Sequence, residues 1–181
     1  MQAKQIKGIG YLWQIDNIFT PEQCEKLINY LDSKEYHKVT RGDMASYKRQ
    51  IIVDRSLADY LFKRLKSIIP EFYKDHKLIY MNDHFRVSKY KPGEEFKMHR
   101  DGVNVDSKGN RSVLTLNIFL NDKFDGGETD FFTDDRKKVL FSCKPKAGRG
   151  ALFDHNNYHC GNEVKNGYKY LIRTDVMGTI L

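Results

Sequence analysis

From residue 79 onward the chain reads as short pieces rather than long ones. HFRVSKY, SVLTLNIFL, GETDFFT, GALFDH and YKYLIRTDV are runs rich in β-branched and aromatic residues. They are broken by KPGEE, DSKGN, DGG and KPKAGRG. Many short strands with turn punctuation predict a sandwich or barrel. No βαβ alternation is present, which argues against a doubly wound parallel sheet.

The first part of the chain is different. In TPEQCEKLINYLDSK, Thr20 stands as an N-cap, Pro21 at the first helical position and Gln23 where a capping box wants Glu or Gln. Cys24, Leu27, Ile28 and Leu31 recur at helical spacing. A second helix is predicted over residues 57–69, with Leu57, Leu61, Leu65 and Ile68 on one face and Pro70 as its stop. Residues 36–50, YHKVTRGDMASYKRQ, read as irregular and polar. The expected architecture is α+β, helices first and then an antiparallel double-sheet core. A chain of 181 residues favours a single domain, 1–181, with a helical N-terminal part at 18–70 and a core at 79–178.

Cys24, Cys143 and Cys160 are odd in number and show no paired C-x-x-C spacing. That weighs against a disulfide framework or structural zinc, and for a reducing compartment. There is no signal-peptide pattern and no apolar run long enough to span a bilayer, so a cytoplasmic, non-membrane protein is expected. The net charge of +7 raises nucleic acid as a partner, but the basic residues are scattered without an arginine-rich block, which weighs against it.

The stretch FKMHRDGVNV holds His99 and Asp101 one residue apart. On a strand, residues i and i+2 share a face, so these two would point together and Arg100 away. Two imidazoles and one carboxylate on one face leave three metal positions open, the arrangement of non-heme Fe(II) oxygenases. Chance alone supplies about one His-x-acid pair in a chain of this composition, so the pair by itself says little. The segment HNNYHCGNEVKNGYKYLIRTDVM adds His155 and His159, either of which could be a third ligand. Lys169 lies on the next expected strand, where a cation could pair with a dicarboxylate that also chelates the metal.

With these residues in place, the chain resembles the iron(II)/2-oxoglutarate-dependent dioxygenases of the prolyl 4-hydroxylase catalytic-domain type. The resemblance covers roughly residues 18–178, through FTPEQCEKLI, FRVSKYKPGEEFKMHRDG, RSVLTLNIFLND, GGETDFF, KAGRGALFDH and HCGNEVKNGYKYLIRTDVM. Family members show H-x-D, then a distal H-x-G, then V-x-x-G-x-K ending ten residues after that histidine. His159, Gly161, Val164, Gly167 and Lys169 fall in that register. The resemblance implies a double-stranded β-helix core of jelly-roll or cupin type, with the N-terminal helices packed on one sheet. It selects His159 over His155, which is left as a hydrogen-bonded histidine near the site.

The roles it implies are iron ligation by His99, Asp101 and His159 and a carboxylate partner in Lys169. Tyr90 would line the cosubstrate pocket. Relatives often carry Tyr where Phe119 stands. Phe119 has no hydroxyl, so Asn117 or Thr115 on the same face is expected to replace that contact. Arg173 reads as an ion-pair partner for a nearby acid, Gly126 and Gly127 as turn glycines, and Gly161 as permitting close backbone approach. His37, His76 and His84 stand outside any motif.

The implied cofactors are Fe(II), 2-oxoglutarate as cosubstrate and O2, with ascorbate as a reductant. The implied reaction is hydroxylation of a C–H bond with release of succinate and CO2. Halogenating relatives have a small residue where Asp101 stands, so hydroxylation is expected. The partner is then a peptide or protein bearing a prolyl or other target residue, or a free amino acid. Residues 36–50 and the loop 102–111 are the expected gripping segments, and their Lys and Arg suit an acidic or polar peptide. The rival readings are a nucleic-acid repair oxygenase of the same cofactor class and a metal-binding sensor without turnover.

Overall fold

The computed structural model describes residues 1–42 and 44–181. Chain order begins β1 (Gln2–Gln5), β2 (Leu12–Asp16), α1 (Pro21–Asp32), β3 (His37–Thr40), β4 (Ser46–Val53) and α2 (Arg55–Arg64). It continues β5 (Phe72–Tyr73), β6 (His76–Met81), β7 (His84–Tyr90), β8 (Phe96–His99), β9 (Arg111–Phe119), β10 (Asp125–Gly126) and β11 (Thr129–Phe132). The last strands are β12 (Val139–Cys143), β13 (Gly150–Asp154), β14 (His159–Gly161), β15 (Val164–Asn166) and β16 (Lys169–Ile180).

The major sheet runs β1-β2-β13-β9-β16-β7-β4-β3, with β6 also on β16 and β5 on β6. A second sheet runs β12-β11-β14-β8, and β10 pairs with β15. All the pairings are antiparallel. The double-sheet jelly-roll core is therefore as the sequence predicts.

Period-two patterning sorts the side chains of the major sheet. Leu114, Leu116, Ile118 and Leu120 face one side with Val87, Leu152, Ile172 and Val176. Cys24 and Leu31 of α1 and Ala58 and Leu61 of α2 cover that side, so both helices lie on the outer face. The other face carries Thr115, Asn117 and Phe119 of β9 and Lys169, Leu171 and Arg173 of β16, and looks toward the second sheet. Phe119, Phe131, Phe153 and Leu171 fill the gap between the sheets at one end, and the opposite end is left open as a pocket.

α1 begins as its sequence indicates. Thr20 Oγ1 accepts from the Gln23 amide and Gln23 Oε1 accepts from the Thr20 amide. α2 is displaced from its expected bounds, starting at Arg55 behind an Asp54 cap and ending at Arg64. Leu65, Ile68 and Ile69 are still buried, but in tighter turns: the Leu65 carbonyl accepts from both Ile68 and Ile69 amides. Apolar spacing alone does not separate such turns from an α-helix.

The larger correction is at residues 36–50. They form the β3–β4 hairpin at the edge of the major sheet; Asp43 lies outside the described residues. Tyr47 and Gln50 are buried here while Lys48 and Ile51 are exposed. β4 is a strand because it pairs with β7, and its own polar composition hides that. Among the described residues no helix is long and apolar enough to cross a membrane.

At Gly126, Gly148 and Gly150 a backbone approach is tight enough to demand glycine, most closely at Gly148. Gly148 has φ +76°, and an added Cβ would lie 2.1 Å from the Phe19 carbonyl oxygen. Gly109 has a similar φ of +82°, but a Cβ there meets open space. Gly109→Ala is expected to cost about 1 kcal/mol from backbone conformation alone. Gly148→Ala is expected to cost roughly 3 kcal/mol or more because the backbone must also shift. Urea unfolding of both variants checks this.

Candidate active site

The short strands β8 and β14 pair with His99 directly opposite His159, although 60 positions separate them in the chain. The ring centroids are 4.3 Å apart. The Nδ1 of His99 lies 2.7 Å from the Lys97 carbonyl and the Nδ1 of His159 lies 3.0 Å from the Asn157 carbonyl. A carbonyl only accepts, so each Nδ1 carries a proton and Nε2 is the ring atom turned to the pocket as a metal ligand. Phe96 stacks on His99 at 3.8 Å, and Phe131 and Phe153 pack around His159. Both rings are thereby locked, and burial lowers the His159 pKa to about 4, which keeps the imidazole neutral.

Asp101 lies two residues beyond His99, past the end of β8, and its amide donates to the His155 carbonyl at 3.1 Å. Its side chain is 2% exposed. Burial opposes its charge, but the Arg173 guanidinium, His99, His159 and the Thr115 hydroxyl together hold the carboxyl well below the usual range. Arg173 Nη1 donates to Oδ1 at 2.8 Å and Thr115 Oγ1 donates to Oδ2 at 2.6 Å. The two Nε2 atoms sit 3.7 and 3.8 Å from the carboxylate oxygens. His99, Asp101 and His159 thus offer three ligand atoms within 4.8 Å of one another. Two imidazoles and one ionised carboxylate on one side of a pocket fit a divalent iron with positions left open.

Lys169 begins β16 on the same inner face. It is 1% exposed, and its ammonium donates to the Gly127 carbonyl at 2.7 Å. The Tyr90 and Phe119 rings lie 5.0 and 5.4 Å away. Among the described residues no carboxylate pairs with it, and burial lowers its pKa to about 8. A buried ammonium with one of three donors used is a site short of an anion, which fits a carboxylate end of a small diacid. Gly127, expected only as a turn glycine with positive φ, also supplies this carbonyl, and a Cβ on it would sit 3.1 Å from Lys169 Cδ.

The remaining expected residues fall as follows. Tyr90 and Asn117 line the same pocket, and Asn117 Oδ1 is buried without a partner. The Thr115 hydrogen is directed at Asp101. His155 lies outside the three-ligand group, buried, with Nε2 at 3.5 Å from Asp175 Oδ1. A Cβ on Gly161 would stand 3.5 Å from the Lys169 ammonium. Arg173 is an ion-pair partner of Asp101 and of Asp175.

Asp175 itself had no signal in the sequence. It is fully buried and gathers Arg86, Asn104 and Arg173. Its place on the Lys169 face, at i+6, was the one available hint.

The cost of the buried ammonium is measurable. Its depression from 10.5 to about 8 corresponds to on the order of 3 kcal/mol of disfavour for the charged form. Below about pH 8 both folded and unfolded chains hold the proton and the fold bears the whole cost. Between 8 and 10.5 the folded chain has lost it and the unfolded chain has not, so stability rises with pH. Lys169→Met is therefore expected to stabilise the ligand-free protein at pH 7, with the gain shrinking across that window. Denaturant unfolding at several pH values checks it.

Residues 85–174 match the family model described as "2OG-Fe(II) oxygenase superfamily". Among curated protein sequences no match is found. Among solved structures, the chain is similar to a viral collagen prolyl hydroxylase from Paramecium bursaria Chlorella virus-1, solved as its 2OG complex. The TM-score is 0.65 and the identity 22%, covering 96% of this chain and 99% of that one. A Pseudomonas putida prolyl-4-hydroxylase gives TM-score 0.68 at 16% identity, covering 94% of each chain. A Trichoplax adhaerens prolyl hydroxylase, solved with a hypoxia inducible factor oxygen degradation domain peptide, gives 0.67 at 18%, covering 91% and 82%. These likenesses carry the fold, and the family match covers β7 through the first half of β16, the stretch that holds the three ligand residues and Lys169. The chain belongs to the 2OG-Fe(II) oxygenase superfamily, and is a 2-oxoglutarate-dependent dioxygenase, using Fe(II), 2-oxoglutarate and O2, on the prolyl 4-hydroxylase-type fold.

Proposed function

We propose that this dioxygenase hydroxylates an unactivated C–H bond of an amino-acid residue, a prolyl residue first, within a peptide or protein. The balance is R–H + 2-oxoglutarate + O2 → R–OH + succinate + CO2. The observation that carries the reading is one pocket with a His-Asp-His ligand group and, on the same lining, a buried ammonium that has no acidic partner among the described residues.

His99, Asp101 and His159 would hold the iron, which with 2-oxoglutarate supplies the activation of O2 and the oxidation of the C–H bond. The chain's own contribution is placement. Lys97 and Asn157 carbonyls aim the two Nε2 atoms. Arg173 and Thr115 orient the Asp101 carboxylate. Lys169 would bind the far carboxylate of 2-oxoglutarate, with Tyr90 and Phe119 excluding water around it. Thr115 is turned toward Asp101, so Asn117 is the better placed replacement for the tyrosine hydroxyl that Phe119 lacks. A cavity of about 230 Å3 suits a small diacid together with one side chain reaching in from outside.

The test is succinate release by the Fe(II)-loaded protein on a library of proline-containing peptides and free amino acids, with mass analysis of the product. A gain of one oxygen atom coupled to succinate is expected. Succinate without an oxidised acceptor across the library would sink the hydroxylase reading. Asp101→Ala is expected to reduce coupled turnover to background. Lys169→Met and Asn117→Ala are expected to raise the 2-oxoglutarate KM, the latter by about tenfold for one lost hydrogen bond to a charged group. For the wild type, 2-oxoglutarate affinity is expected to fall as pH rises above about 8, where the free ammonium loses its proton.

A further inference from the structure

Five of the chain's ten arginines line this one pocket, against one of its 21 lysines. The five are Arg41, Arg49, Arg86, Arg100 and Arg173, and the acidic group that lines the pocket with them is Asp101. A generally basic surface does not produce such a split, because lysine outnumbers arginine two to one in the chain as a whole. Arginine is the side chain whose planar fork matches a carboxylate or phosphate with two parallel hydrogen bonds.

The inner arginines are occupied. Arg86 donates to Asp175 and Asn104, and Arg173 to Asp101 and Asp175. The outer guanidiniums have no hydrogen-bond or ion-pair partner among the described residues. Arginine ion pairs among the described residues belong to Arg55, Arg86, Arg149 and Arg173. Arg49 is half-buried on the pocket face of β4, opposite Ser88 of β7. Arg100 is exposed just beyond β8, its guanidinium lying over the Tyr158 ring at 4.0 Å. Stacking on a ring holds the group in place and leaves its charge uncompensated. One arginine comes from the major sheet and the other from the end of the second sheet, and both line the pocket. Iron and 2-oxoglutarate add two positive and two negative charges, which cancel, so the loaded pocket keeps its cationic mouth.

Resting on the oxygenase reading above, we propose that the acceptor is an acidic peptide, with Asp or Glu side chains within a few residues of the oxidised position, gripped by Arg49 and Arg100. A nucleic acid would meet the same charges, but it also needs exposed aromatic faces for its bases. Tyr47 and Tyr90 at this pocket are buried, stacked on each other, and Phe96 is stacked on His99.

The test is binding without turnover. The protein is loaded anaerobically with Fe(II) and 2-oxoglutarate, and 2-oxoglutarate uptake is measured by equilibrium dialysis. Three labelled peptides of equal length share a central proline flanked by Glu, by Gln or by Lys, and a single-stranded oligonucleotide matches the charge of the first. By fluorescence anisotropy the Glu peptide is expected to bind about tenfold or more tighter than the Gln peptide, with the difference shrinking as salt rises. The double variant Arg49→Glu, Arg100→Glu is expected to reverse the order in favour of the Lys peptide, a reversal that misfolding does not mimic. Equal binding of the Glu and Gln peptides, no binding of either, or tighter binding of the oligonucleotide overturns the proposal. If 2-oxoglutarate is taken up normally in that case, the oxygenase reading stands; failure of uptake by the wild type overturns the oxygenase reading instead.

Discussion

Two cations project from one face of β16 toward the pocket, and among the described residues only one of them has a carboxylate partner. Arg173 meets Asp101 and Asp175. Lys169 meets a carbonyl and two aromatic faces. A buried charge without a counter-charge is among the most expensive features a fold can carry, and it persists here because packing on every side holds the stem in place. The same expense makes Lys169 selective. An anion that arrives with its own carboxylate relieves a penalty already incurred in folding, so the binding site is built from stored desolvation rather than from shape alone.

Arg173 makes the second cation structural and functional at once. Through Asp101 it fixes one member of the ligand group, and through Asp175 it reaches Arg86 and Asn104. Asn104 belongs to the 102–111 loop, and its backbone amide donates to Ser112 Oγ at 2.8 Å, which ties the loop to β9. The loop beside the pocket and the carboxylate at its centre are therefore held by one buried network. A buried network tied at this many points resists movement, because each member that moves strands another without a partner.

Much of this architecture is legible in the sequence. The alternation in SVLTLNIFL separates the face covered by helices from the face that looks into the pocket, and it does so because the strand is buried on both sides with different chemistry on each. The capping box at Thr20 specifies the start of α1 from local hydrogen bonds alone. The β3–β4 hairpin is not legible, since its strands are largely polar: β4 is a strand because β7 offers it partners, and β3 because β4 does. The role of Asp175 is hidden for the same reason: beyond sharing a strand face with Lys169, it is not marked as a buried hub until its partners from β7, β16 and the 102–111 loop surround it.

What the sequence determined by itself was the supply of chemistry: which residues alternate on a strand, which turns need glycine, and that imidazole, carboxylate and ammonium occur at spacings able to share a face. Local preferences and period-two patterning encode these within a few residues. The tertiary structure decided which of them meet. Antiparallel register places His99 opposite His159, leaves His155 with Asp175, gives Arg173 a carboxylate and denies one to Lys169. Such pairings depend on strands brought together across long stretches of chain, where the free energy of a contact lies in its partner and not in its own position in the sequence.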